Sequence, residues 1–426
     1  MIVLMMFLGL LFLVLINVPI AVALAVVASG AMVYAHGFDV LPNVALVMMD
    51  GATNFPLIAI PLFILAGAIM NSTGISRRLI AFASALFGFV KGGLAMVNIG
   101  TSLFFAEISG SAVADVAALG SILIPQMKKK GYPAPFAAAV TSSSATLAVI
   151  IPPSIPMILY AVMSQSSVVQ LFVAGIVPGV LGGLLMMFVA YRFAVHYNYP
   201  VEEVFRVSHV AATFKDAALA FTLPVIILGG IFGGFVTATE GAGLAVVAAM
   251  VIGMFYRELD WKHLKNAMID GSVQTAVVML LVASSVLVGE YLTEAQVPQT
   301  LASSISDFTQ NKYAVLALLN VFFLVVGLFL HSAAAIILVV PIVMPLVQQV
   351  GIDPVHFGII VTLNLGIGQQ TPPVASVLVT ACSVAKADIW EVSKVNIWFI
   401  GVLFAMLMLV TYVPAIPMTL VEYFYR

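Results

Sequence analysis

The chain alternates long apolar runs with short polar interruptions, and the length of each run predicts what it forms. Windows of about 20 residues mark apolar segments at 4–34, 55–70, 93–127, 134–165, 169–192, 217–236, 240–256, 272–290, 313–349, 354–384 and 396–420. A helix needs roughly 20 residues to cross the ~30 Å hydrocarbon layer. Two runs are too long for one crossing and are interrupted near their middles, 93–127 by EISGSA at 107–112 and 313–349 by HSA at 331–333. Each arm then has about 15 residues, or ~22 Å of helix, which is short of a crossing. These runs predict re-entrant hairpins at about 93–130 and 313–350. Segments 77–91 and 297–312 read as amphipathic, and the first run, 4–34, reads as a single retained span because it lacks the basic start of a signal peptide.

Two other runs carry adjacent prolines in mid-span, IIPPSIP at 150–156 and GQQTPP at 368–373. Proline has no N–H and pushes the residue before it out of helical geometry, so 134–165 and 354–384 are each expected to break into two half-helices. At bilayer depth the freed carbonyls need protein, water or an ion. The plainer alternative is a structural proline kink.

An offset of 220 residues maps Asp50-Gly51 onto Asp270-Gly271, Thr73 onto Thr293, Pro125 onto Pro345, Gly131 onto Gly351 and Pro152-Pro153 onto Pro372-Pro373. The order of span, span, amphipathic segment, hairpin, Pro-Pro span and span also occurs twice. The intervening span 217–236 inverts the second copy, so the chain reads as two inverted-topology repeats, 1–216 and 217–426, the latter including the linking span. Such repeats place substrate and coupling ions near the membrane midplane, between discontinuous helices.

Composition agrees with an all-α polytopic membrane protein: 63% hydrophobic and 8% charged residues, with a mean hydropathy of +1.18. Net charge is -2 and the 16 Lys and Arg are scattered, so nothing indicates a nucleic-acid partner. With a cytoplasmic N-terminus and two re-entrant hairpins, 14 of the 16 basic residues fall on the cytoplasmic side, leaving Lys312 and Arg426 outside. Cys382 has no partner for an internal disulfide and reads as a buried, inert thiol. Paired glycines at 229–234 and at Gly179 and Gly183 read as close helix packing.

The polar residues gather at the hairpins and breaks. Ser109, Gly110, Ser111 and Asp115 lie at the first hairpin, and TSSSAT at 141–146 precedes the first break. His331 and Ser332 lie at the second hairpin, with Asn364, Gln369, Gln370 and Thr371 beside the second break. The substrate candidates are Ser109, Gly110, Ser111, Asp115, Pro153, Ser154, His331, Ser332 and Gln370. Neutral oxygens and backbone carbonyls suit Na⁺, whereas proton coupling needs a chain of titratable groups. The Na⁺ candidates are Ser109, Ser111, Ser144, Thr146, Pro152, Asn364, Gly366, Gln369, Thr371 and Pro372. Asp115 also reads as a hairpin charge solvated from a cavity, and His331 as a satisfied interior histidine. Glu107, Glu240 and Glu290 read as interface residues.

No GxxxxGK[ST] occurs, so the chain carries no P-loop and any pumping uses an ion gradient. Ser111 and His331 leave open an intramembrane hydrolase, but HExxH and GxSG are absent and the chain is not read as an enzyme. A stand-alone transporter or a channel is the other alternative.

The runs IAIPLFILAGAIMNSTGI at 58–75, FFAEISGSAVADVAALGSILIPQMKKKGY at 104–132, IIPPSIPMILYA at 150–161 and GIFGGFVTATEGAG at 230–243 resemble the large membrane subunit of TRAP transporters. The resemblance covers essentially the whole chain. It implies an elevator-type, Na⁺-coupled secondary transporter in the bacterial inner membrane that takes an organic acid from a periplasmic binding protein. It also implies a partner subunit of about four spans, and a stationary scaffold that here would use 4–34, 169–192, 217–256 and 396–420. It points to Ser109, Ser111, Asp115, Pro152-Pro153 and Pro372-Pro373 as the transport site. Relatives carry C4-dicarboxylates, sialic acid or other organic acids, with sialic acid favoured here by overall resemblance.

Overall fold

The computed structural model describes residues 2–16, 18–109, 111–202, 204–372 and 374–425, with no side chains described at 4, 11, 15, 105–109 and 306–308. Among the described residues every regular element is helical, and eight helices are long and apolar enough to cross a membrane. Gly110 and Pro373, and the side chain of Ser109, lie outside the described residues.

One helix gives the bundle its length. Trp261–Glu294 has 34 residues, ~51 Å by helical rise, and packs along Ile20–His36, Leu41–Ala52 and Ala59–Ser72. Its ends are marked by polar side-chain contacts. At one end His36 Nε2 meets Glu294 at 2.7 Å. Just before the other, Glu258 accepts from Arg77 at 3.0 Å and Arg78 at 2.9 Å. The Arg78 guanidinium lies 3.8 Å from the Tyr256 ring centroid. Hydrogen bonding from Arg78 holds the Glu258 carboxyl below its ordinary range. Its contribution is therefore present at neutral pH and is lost as pH falls through that lowered value.

The first apolar run is not a single span. It turns near Val18-Pro19 into two helices, Ile2–Leu15 and Ile20–His36. Gly9 lies against Val27, two residues that a continuous helix would hold ~27 Å apart. The chain therefore folds back on itself. Residue 2 ends beside the His36–Glu294 end, opposite Arg77, which reverses the expected cytoplasmic N-terminus if the basic side is cytoplasmic. The interval 35–54 between the first two apolar runs holds a further helix, Leu41–Ala52. The last run splits at Pro414 into Ile389–Tyr412 and Ala415–Tyr425.

Both hairpins return to where they start. In the first, Gly93–Ser109 is followed by Ala112–Asp115, a π-helical turn Val116–Gly120 and Ser121–Lys129. Asn98 Nδ2 lies 3.7 Å from Met127 Sδ, so the roots of the two arms touch. In the second, Lys312–Phe329 and Ser332–Gln349 diverge from their tip, yet their roots meet common neighbours. Tyr313 packs on Tyr412 at 6.2 Å, and His356 Nε2 lies 2.8 Å from the Val410 carbonyl.

The interrupted helices occupy the centre. Pro354–Gly368 is buried from Val355 to Gly368, and Ala134–Ala145 from Phe136 to Ala145. Helices buried on every side belong in the middle of a bundle. The first stops after a tight turn at Thr146–Val149 and resumes at Ile155–Ser164, and the second stops at Gly368 and resumes at Ser376–Ala385. Gly327 of the second hairpin crosses Gly368 so closely that a Cβ on Gly368 would overlap the Gly327 backbone. Gly179 and Gly183 seat Ile151 and Leu103 in the same way, whereas Gly229 faces no neighbour within 4 Å.

The fold-back gives a labelling test in a Cys382→Ser background. Single cysteines at Lys129 and Lys262 react only with reagent on the cytoplasmic side, and cysteines at Ile2 and Gly37 only from the other side. Opposite accessibility of positions 2 and 37 would restore a single first span.

Candidate functional site

The half-helices end where they do because the breaks replace helical hydrogen bonds with specific local ones. Ser154 Oγ donates to the Val149 carbonyl at 2.7 Å and accepts from the Met157 N–H at 3.4 Å. It bridges the first break and caps the helix beyond it. At the second break the Gln370 and Thr371 N–H groups donate to Ile367 and Gly368 at 3.1 and 3.0 Å, and the Val377 N–H returns to the Gln369 carbonyl at 3.1 Å. Ala375 is left-handed at φ 43°, a conformation that costs an L-residue roughly 1–2 kcal/mol. Backbone of this kind persists where surrounding packing imposes it.

One side chain ties the two breaks together. The Gln370 carboxamide oxygen accepts from Ser142 Oγ at 3.3 Å, Ser143 Oγ at 3.1 Å and Asn396 Nδ2 at 3.0 Å. Its nitrogen donates to Thr146 Oγ1, and Ser143 also bonds Asn396 at 2.6 Å. All five residues are buried. Gln370 thus joins the break in one half of the chain to the break in the other. Asn396 fastens helix Ile389–Tyr412 to this junction. Gly366 lies against Thr146 in the same region.

Two satellite networks hold the hairpins to the breaks. Ser144 donates to Asn98 Oδ1 at 3.4 Å and pairs with Ser102 at 2.9 Å, while Asn98 donates to Thr141 at 2.6 Å. In the second half, Asn364 donates to Asn320 at 2.7 Å and Asn320 to Thr411 at 3.1 Å. Each area keeps a buried oxygen with no hydrogen-bond partner among the described residues, Thr101 Oγ1 and Asn364 Oδ1. Such orphaned acceptors are rare in native interiors.

Beside this junction lies a cavity of about 580 Å³. The first hairpin contributes Ser111 and Ala112, the second His331 and Ser332, and the breaks contribute Val149, Ile155, Gln369 and Ser376. The far wall is Ile64 with Val273, Gln274, Val277 and Val278 of the long helix. Both hairpin tips and both breaks therefore meet at one chamber.

Of the substrate candidates, Ser111, His331 and Ser332 line this chamber. Gln370 and Ser154 instead serve the junction and the cap, and Pro153 lies within the first turn. Asp115 is buried behind the hairpin tip, its N–H bonded to the Ser111 carbonyl at 3.0 Å. Of the Na⁺ candidates, Gln369 lines the chamber, Ser144, Thr146 and Asn364 belong to the buried networks, and Pro152 and Pro372 lie in the turns. Thr371 Oγ1 donates to the Ile367 carbonyl at 2.9 Å. No group of three or more His, Cys, Asp or Glu side chains suited to a metal ion occurs among the described residues.

Sequence reasoning missed Gln274, Ser376, Asn396, Asn98, Asn320 and Thr411. The signal was a lone polar residue inside an apolar run, which hydropathy averaging suppresses.

A multi-pass helical bundle with an interior chamber between paired hairpin tips and interrupted helices defines a membrane transport protein. The family model of the tripartite ATP-independent periplasmic transporter, DctM component, matches residues 7–416, and the chain belongs to that family. It is a multi-pass protein of the bacterial inner membrane. It is 41% identical over 405 residues to the isethionate TRAP transporter permease protein of Oleidesulfovibrio alaskensis, covering 95% of this chain and 64% of that one. It is 36% identical to the C4-dicarboxylate TRAP transporter large permease of Pseudomonas aeruginosa, covering 90% of each. It is also 36% identical to the sialic acid TRAP transporter permease of Haemophilus influenzae, covering 85% of this chain and 59% of that one. The chain thus spans less than two thirds of the isethionate and sialic acid permeases. The YdaH transporter of Alcanivorax borkumensis shares the fold, with a TM-score of 0.62, 14% identity and 88% of each chain covered.

The different places of the two glutamines predict different losses. Gln370→Leu leaves several buried partners unsatisfied and costs about 3 kcal/mol, read as a clear drop in the melting temperature of the purified protein. Gln369→Leu, whose amide makes only a 3.4 Å bond to Leu365, melts near the parent. Equal melting of the two variants would contradict the junction.

Proposed function

We propose that this chain is the permease of a Na⁺-coupled secondary transporter that imports an organic acid delivered by a periplasmic binding protein. The chamber shared by both hairpin tips and both breaks carries the reading, because it is where inverted-repeat transporters hold substrate and ions. Family membership supports the tripartite arrangement, in which a small four-span membrane subunit and the binding protein complete the system. The relatives named for isethionate, C4-dicarboxylates and sialic acid support a small acid as cargo, with sialic acid one member of that class.

Sodium coupling is supported by the chemistry of the donors. Asn364 Oδ1 and Thr101 Oγ1 are buried oxygens with no hydrogen-bond partner among the described residues, and a hard monovalent cation takes such ligands. The chamber wall has no Lys or Arg among its lining residues. Co-bound cations, together with the N-termini of Ser332–Gln349 and Ser376–Ala385, offset the charge of the acid. In this account the hairpins and interrupted helices move as one body against the long helix, in the manner of an elevator.

In liposomes with an inward Na⁺ gradient, the chain alone takes up little acid. Adding the small subunit and a loaded binding protein restores uptake, which stops when the gradient and membrane potential are set to zero. Ser111→Ala and Asn364→Leu raise the Na⁺ concentration for half-maximal uptake by roughly tenfold each, about the loss of one charge-assisted contact. Robust uptake by the isolated chain, or a pH dependence in place of Na⁺, would overturn this reading.

A further inference from the structure

The wall of the chamber facing the hairpin tips belongs to the long helix and is apolar except at one position. Val273, Val277 and Val278 flank Gln274 there, with Ile64 beside them. Gln274 stands thirteen residues after Trp261, ~20 Å along the helix, inside a stretch otherwise apolar enough to cross a membrane. Its side chain is exposed and makes no hydrogen bond to another described residue. An amide at that depth costs several kcal/mol against lipid, so polar groups in spans face a cavity or a partner. Here the chamber is what it faces. The polar groups on the other side, Ser111, His331, Ser332, Gln369 and Ser376, all come from the hairpins and breaks.

The chamber therefore has two polar poles separated by an apolar belt. We propose that Gln274 is a specificity-determining residue that hydrogen-bonds a second polar group of the substrate, distal to the acid group held at the hairpin tips. The preferred cargo is then a bifunctional acid, bearing a hydroxyl, amide or second acid group at its far end. A carboxamide both donates and accepts, so it reads any of these. An analogue lacking that group leaves a desolvated amide unpaired, and a site built for such a bond rejects it more strongly than an apolar pocket rejects a missing methylene.

This rests on the organic-acid reading above, and the test separates the two. Acid-induced thermal stabilisation of the purified full chain, in saturating Na⁺, is measured with two matched pairs, isethionate against ethanesulfonate and succinate against butyrate. The parent protein binds the bifunctional member of at least one pair about tenfold more tightly than its partner, the value of one such bond. Gln274→Leu brings that ratio to about one, and Gln274→Asn retains part of the preference. An unchanged ratio in Gln274→Leu, or no preference in the parent, overturns the role of Gln274 while leaving the organic-acid reading in place. Failure of the parent to bind any of the four acids also overturns the role of Gln274, and failure of uptake with a binding protein present removes the organic-acid reading as well.

Discussion

A helix that stops in the middle of a membrane leaves unpaired amides and carbonyls where no water can reach them, and this structure is arranged around that constraint. Two such stops are placed side by side, and a single carboxamide, Gln370, accepts from Ser142, Ser143 and Asn396 and donates to Thr146. Ser142, Ser143, Thr146 and Asn396, all buried, are grouped at this contact. The hairpins bring their tips to it, the close crossing of Gly327 over Gly368 seats one of them, and the chamber is the space left between.

The same constraint links stability to transport. The breaks carry one polar set used by the fold, Ser143, Asn396, Gln370 and the Ser154 cap, and another left open, Gln369, Ser376 and the Asn364 oxygen. Half-satisfied polar groups in a low-dielectric interior are costly. In the proposed function the partners they lack are supplied by cargo, acid and cation each completing the coordination that the other requires.

Much of this was legible in the sequence because proline and glycine act locally. The interrupted helices stop at Val149 and Gly368, beside the Pro-Pro pairs, and the helices that follow the hairpin tips begin at Ala112 and Ser332. The fold-back at Val18-Pro19 was missed because an apolar run of about 30 residues satisfies the length rule for one tilted span as well as for two short helices. Gln274 was missed because one amide among valines barely moves a windowed average. The role of Gln370 was misjudged for a different reason: whether an amide faces a chamber or a neighbouring helix depends on contacts between residues more than 200 positions apart, such as Thr146 and Gln370, which no local pattern records.

If acid and Na⁺ complete one site, their binding must be thermodynamically linked, and linkage is reciprocal. The most direct measurement is calorimetric titration of the purified protein with a transported acid at a series of Na⁺ concentrations, and with Na⁺ at a series of acid concentrations. The account predicts that Na⁺ raises the affinity for acid by at least about tenfold and that acid raises the affinity for Na⁺ by the same factor. Acid binding that is indifferent to Na⁺, with K⁺ substituting equally, would contradict it.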